Sequence, residues 1–229
     1  MVGYFSFPLN PFYAIMWIMK LIGETSIGSL IVELSQAEFD ALEALESPIQ
    51  GEAAVSRHIL PVPHINQNSD SSRAYRNDCG IACTAMAIHA LTDKRPSVDH
   101  LMTHYIALEY RGKYLTFSQL LPALRAFGLQ AEYRRPFKTD EIEAAIKNGS
   151  PCMVLVKYSA LPKHLQAISY NGSHFVLISG YENGSFLMND PLAAEAKWIE
   201  GIDLHTAMSG FGVGENLPYQ GIIIRKWIS

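Results

Sequence analysis

The chain has 229 residues, of which 48 % are hydrophobic and only 17 % charged, against about 25 % charged in an average soluble domain. Eighteen basic and 22 acidic side chains leave a net charge of −4, which excludes a basic nucleic-acid-binding field, and the low charge excludes a disordered chain or a coiled coil. Three cysteines in a chain of this length exclude a disulfide framework.

Residues 1–19 carry no charged side chain; Lys20 is the first. A membrane span needs about 20 mostly apolar residues, but Pro8, Asn10 and Pro11 leave only Phe12–Met19 as a clean apolar run. A signal peptide wants a basic residue before its apolar stretch and a small-residue cleavage site after it; Lys20 lies on the wrong side and no Ala-x-Ala follows. The expectation is an apolar extension over 1–18 that packs on the fold or on a partner or second copy, with Met19-Lys20 as a plausible natural start. No membrane-spanning segment is expected. The sequence assigns no compartment; a soluble cytoplasmic protein, or one in a phage or bacterial assembly, fits it better than a secreted one.

Lys20–Ser35 reads as two short strands about Gly28. Ser35 and Glu38 then form a capping-box pattern ahead of Phe39, Leu42 and Leu45 at helical spacing. A hairpin-helix element with its linker therefore occupies 19–50, ending in Ser47-Pro48-Ile49-Gln50-Gly51. Residues 51–229 read as one mixed unit. Helices are predicted over Cys79–Leu91, Val98–Leu108, Ser118–Phe127 and Thr139–Lys147, the third stopped by Gly128 and the last by Gly149. Strands are predicted over Cys152–Tyr158, Ser173–Tyr181, Ser185–Asn189 and Gly221–Trp227. Asn171-Gly172 and Asn183-Gly184 are tight-turn dipeptides, and the second joins two strands as a hairpin. Helices first and antiparallel strands afterwards make an α+β order.

Four features stand where thiol chemistry needs them. Asn77-Asp78-Cys79-Gly80 precedes the Ala-rich helix. Asp78 is placed to cap it, which puts Cys79 in the first turn, facing the positive end of the helix dipole that favours a thiolate nucleophile. Gly80 is expected to admit substrate close to the backbone. Gln67 lies upstream in Val62-Pro63-His64-Ile65-Asn66-Gln67; its side-chain amide with the backbone N–H of Cys79 would make an oxyanion hole. His174, at the start of an apolar strand, can take the thiol proton. Asp190, in Asn189-Asp190-Pro191, lies beside His174 if the two strands pair, and can orient the imidazole. Each feature alone has a plain structural reading: a buried thiol, a surface loop Gln, a surface His, an Asx-Pro turn.

Taken in order, these residues resemble the papain-like cysteine peptidases, and within them the double-glycine-leader (bacteriocin-processing) type in stand-alone form. The resemblance rests on Val-Pro-x-x-x-Gln, Asp-Cys-Gly with Ala82 and Met86, Gly-Ser-His-Phe-Val with Gly180-Tyr181, and Asn-Asp-Pro. It covers about 57–191. It implies a papain-like α+β fold with the nucleophile helix packed on a C-terminal antiparallel sheet, and the roles of oxyanion donor for Gln67, nucleophile for Cys79, base for His174 and orienter for Asp190. It implies a peptide or protein substrate and neither metal nor organic cofactor. Ile81 departs from the family's usual Pro or Ala and is expected to crowd the helix start. The polar stretch Asn68–Arg76 is a candidate lid or specificity loop.

Weaker candidates read as structure. Cys83, on the same helix face as Cys79, could act as a resolving thiol but reads as core, as does Cys152. His100 and His104 are spaced to share a metal, yet no further ligand completes the site. Gly210-Phe211-Gly212-Val213-Gly214 lacks the Lys-Ser/Thr of a phosphate loop and reads as a flexible loop. Three functions follow: a cysteine peptidase; a thiol amidase or acyltransferase acting on a peptidoglycan or other amide; and a non-catalytic subunit that uses the papain-like fold as scaffold.

Overall fold

A strand whose every side chain is buried must be covered on both faces. Cys152–Lys157 is such a strand, and it fixes the layering of the molecule. The computed structural model describes residues 57–68, 77–111, 113–211 and 217–227. All of them lie in the unit Ala53–Ser229. The expected extension over 1–18 and the hairpin-helix element over 19–50 fall outside the described residues, as does most of the Asn68–Arg76 stretch.

In chain order the strands are β1 (His58–Ile59), β2 (Leu129–Arg134), β3 (Cys152–Lys157), β4 (Ser173–Glu182), β5 (Ser185–Asn189), β6 (Lys197–Glu200) and β7 (Gly221–Lys226). The helices are α1 (Cys79–Leu91), α2 (Val98–Tyr105), α3 (Phe117–Ala126), α4 (Thr139–Lys147) and α5 (Gly201–Ser209). The strands form one antiparallel sheet in the order β2-β7-β3-β4-β5-β6, with β1 paired to β4. Alternation along the strands divides the core. Met153 and Leu155 of β3, Phe175 and Leu177 of β4, and Ile222 and Ile224 of β7 pack under α1, α2 and α3. Cys152, Val154, Val156, Val176, Ile178 and Ile223 face the other way, under α4 and α5.

The expected elements form close to their predicted bounds, and α1, α4 and β5 match them residue for residue. Gly128 and Gly149, both at positive φ, follow α3 and α4 as their stops. The second helix ends at Tyr105, and a separate 3-10 turn spans Leu108–Tyr110. Asn171-Gly172 makes no hairpin; it lies in the loop that leads into β4. Strands β2 and β6 and helix α5 have no counterpart in the sequence reading. The two strands end the sheet, so each keeps a half-polar pattern, as in Gln130, Glu132 and Arg134 of β2. Helix α5 begins at a glycine with no side-chain cap, and so carries no start signal.

The β4–β5 hairpin decides where Asp190 sits. Its turn is Asn183-Gly184, both at positive φ (47° and 86°), as a two-residue hairpin of the I′ kind requires. Leu177 then pairs with Asn189, so the chain leaves β5 alongside the first half of β4. A β-branched side chain at position 184 is strained whatever room surrounds it. Gly184→Val is therefore expected to lower the unfolding free energy in urea by about 1–3 kcal/mol, and an unchanged midpoint would contradict this reading of the turn.

Candidate active site

Helix α1 is apolar on every side, and Cys79 through Ile88 are all buried. Asp78 stands at its N-cap, but the side chain makes no capping hydrogen bond, contrary to expectation; the helix begins on the Asp78 carbonyl, which accepts from Ala82 N at 2.8 Å. Gly80 also differs. A Cβ there would meet Leu120 and Phe175 side chains at 3.1 Å, so the glycine serves close packing of α1 on α3 and β4. Ile81, expected to crowd the entrance, is fully buried in the core under the sheet and crowds nothing outside.

Cys79, by contrast, opens on a cavity of about 720 Å³. Leu115, Phe117, Leu121 and Ile222 line it together with the rings of Tyr114, Tyr133 and Tyr170. Cys83 and Cys152 are fully buried. The Cys83 thiol donates to the Phe175 carbonyl at 3.5 Å, and burial pushes it well above the ordinary thiol range, with the nearby Cys79 and Asp190 adding to the shift. Burial likewise pushes Cys152 up. Both behave as core, as the sequence suggests.

His174 is the second residue of β4, paired with Val156 of β3, and is 3 % exposed. Its Nε2 lies 2.7 Å from Asp190 Oδ1. Cys79 lies near enough to act on the ring as well. Burial opposes the charged ring, but Asp190 and Cys79 outweigh it and lift the imidazole to about 9. Asp190 is also buried, which alone would raise it; the hydrogen bond and charge of His174 prevail and hold it below the ordinary carboxylate range. Leu192 N donates to Oδ1 at 2.9 Å and the Tyr158 hydroxyl to Oδ2 at 3.0 Å.

Gln67 reaches this region by its backbone: Gln67 N donates to the Pro191 carbonyl at 2.9 Å. Two neighbours fasten the same strip. Asn66 Nδ2 donates to the Ala193 carbonyl at 2.9 Å, and His64 Nε2 lies 3.0 Å from the same oxygen. Gln67 is half-buried, and its Oε1 has no hydrogen-bond partner. The structure thus brings Cys79, His174 and Asp190 into contact and sets the Gln67 backbone one residue beyond Asp190.

His100 and His104 stay apart from the site; their rings stack at 4.2 Å on an exposed face of α2. Among the described residues no cluster of His, Cys, Asp or Glu could hold a metal, and no helix is long and apolar enough to cross a membrane. Residues 212–216 of the glycine-rich stretch lie outside the described residues. Sequence reasoning missed Tyr158 and the aromatic walls of the groove. Only the cross-strand register, which carries β3 past His174, would have exposed Tyr158.

The model of the peptidase C39-like family matches residues 59–207. This chain belongs to that family. It is a cysteine peptidase by membership, with the family's papain-like α+β architecture. Among solved structures it is similar to a protein of Bacillus anthracis described as C39-like, at 19 % identity over 75 % of this chain and 98 % of that one, with a TM-score of 0.54. It is also similar to a double-glycine-motif protease from an AMS/PCAT transporter, solved with its leader peptide, at 18 % identity over 75 % and 96 %, with a TM-score of 0.50. These two likenesses concern the fold. Comparison with curated proteins yields no match.

The buried His174–Asp190 pair makes stability depend on pH. The imidazole's value in the folded chain, about 9, lies above its usual 6.5. Its contribution is therefore complete below pH 6.5 and fades as the pH rises through about 9. Melting temperature is expected to fall across that interval, and Asp190→Asn should remove most of the slope. A slope equal to that of the wild type would contradict the ion pair.

Proposed function

We propose that this C39-like protein hydrolyses peptide bonds through Cys79, His174 and Asp190, with Gln67 supplying the oxyanion site. The observation that carries the reading is the continuous contact from a groove-facing thiol through a buried imidazole to a buried carboxylate. His174, held protonated by its neighbours, pairs with Cys79 as the thiolate, which attacks the substrate carbonyl. Negative charge develops on the carbonyl oxygen, where the Cys79 backbone N–H and the Gln67 side-chain amide stabilise it. The imidazolium returns the proton to the leaving amine as the C–N bond breaks, leaving a thioester on Cys79. His174 then takes a proton from water, which attacks the thioester and frees the acid. Asp190 stabilises the imidazolium throughout.

The apolar groove beside Cys79 supports a peptide substrate that lies extended and seats large apolar side chains on Leu115, Phe117 and Ile222. The similar double-glycine-motif protease, solved with its leader peptide, supports the same class of substrate.

Peptides that combine an apolar segment with a glycine pair should be cut once, and mass spectrometry of the products locates the bond. Cys79→Ala should abolish turnover in a folded protein, and iodoacetamide should modify Cys79 far faster than Cys83 or Cys152. Equal rates at the three thiols would sink the catalytic reading. Gln67→Ala should lower kcat by about 10²–10³-fold, the usual size for losing one oxyanion donor.

A further inference from the structure

Asp190 is 1 % exposed, so each of its oxygens needs a donor from the protein. Oδ1 has two, His174 Nε2 and Leu192 N. Oδ2 receives the Tyr158 hydroxyl. The direction of that bond is fixed. The Tyr158 oxygen accepts from Ala167 N at 2.8 Å, so the phenol proton is left for the carboxylate. The ring is fully buried and meets the His174 ring edge-on, at 5.0 Å between centroids and 77° between planes. One side chain thus touches both members of the His174–Asp190 pair.

It also holds the segment that walls the groove. Tyr158 N donates to the Gly172 carbonyl at 3.0 Å, the hydroxyl takes Ala167 N, and the ring lies 6.0 Å from that of Tyr170. Tyr170 and Gly172 line the cavity beside Cys79. The loop 159–172 is therefore tied to Asp190 through one hydroxyl.

We propose that Tyr158 is a positioning residue: its O–H fixes the Asp190 carboxylate square to His174 and couples that alignment to the groove-wall loop. The proposal rests on the catalytic reading above. Burial, first, and then the charge of Asp190 push the phenol up to about 12, so it remains a donor across the working range. A carboxylate that loses a donor takes up a proton at higher pH, and the thiolate–imidazolium pair needs that carboxylate ionised.

The test is the rate of Cys79 alkylation by iodoacetamide against pH in the full chain, with kcat and KM on a cleaved peptide beside it. In Tyr158→Phe the acid limb should move up by about one pH unit, the size of one hydrogen bond to a charged acceptor. On that limb kcat should fall about tenfold, with KM within about twofold. Placing 3-fluorotyrosine at position 158 keeps the shape and makes a stronger donor, so the limb should move down. Opposite shifts from the two replacements cannot come from a merely structural role. Superimposable profiles for the wild type and both replacements would overturn the proposal. Should Tyr158→Phe not fold, the fluorinated protein decides alone, and an unmoved limb overturns it. A wild-type Cys79 no faster than an unstructured thiol overturns the catalytic reading itself, and the Tyr158 role with it.

Discussion

A buried carboxylate beside a buried imidazole is costly unless every polar atom has a partner, and much of this structure is organised to supply them. The 2.7 Å contact between His174 and Asp190 sits at the end of the β4–β5 hairpin, both groups almost wholly out of water. The Asn183-Gly184 turn brings the chain back alongside β4. The backbone of Leu192 and the phenol of Tyr158 complete the carboxylate's shell. The strip His64–Gln67 is fastened across 191–193 by hydrogen bonds from His64, Asn66 and Gln67, so the stretch following Asp190 is held from outside as well. Removing Asp190 leaves a buried ring uncompensated; removing the ring leaves a buried charge. Neither partner is stable in this setting without the other.

The layering explains why the thiol can join them. His174 shares the alternation of Val176 and Ile178, which pack toward α4 and α5, whereas Cys79 opens α1 on the opposite face of the sheet. The two can meet only where the rows of core side chains run out, and that is where β4 starts and α1 begins. Gly80 allows the approach, since a side chain there would press on Leu120 and Phe175. The groove opens at the same place. It is lined by core side chains of α3 and β7, among them Phe117 and Ile222, so the apolar surface offered to substrate is continuous with the fold's own packing.

Much of this was legible in the sequence, and the limits have physical causes. Elements with a full signal formed where predicted: α1 from its unbroken apolar run, α4 from its acidic first turn and closing glycine, β4–β5 from an Asn-Gly turn between apolar strands. Edge strands β2 and β6 were not legible, because a strand with one neighbour can keep half its residues polar. The order of Gln67, Cys79, His174 and Asp190 exposed the candidate site, since paired strands and a helix start leave little choice about which side chains converge. Asp78 shows the opposite case. Capping is an ordinary use of that residue type, yet here the helix is started by a carbonyl. Tyr158 was invisible for a third reason: its role depends on cross-strand register between β3 and β4, a tertiary quantity that no local pattern encodes.

The three thiols are all buried, and what separates chemistry from packing is the opening of Cys79 on the cavity. Cys79 and Cys83 lie one turn apart on one helix, close enough for Cys83 to feel the charge of Cys79. Cys83 has no opening, gives its proton to the Phe175 carbonyl, and is pushed far from ionisation by its surroundings. Cys152 is sealed within the sheet. Cys79 has the groove on one side and the imidazole on the other. A second thiolate within a turn of Cys79 would compete with it for the same imidazolium. Keeping Cys83 neutral in the core therefore leaves Cys79 as the one thiol placed to use the imidazole.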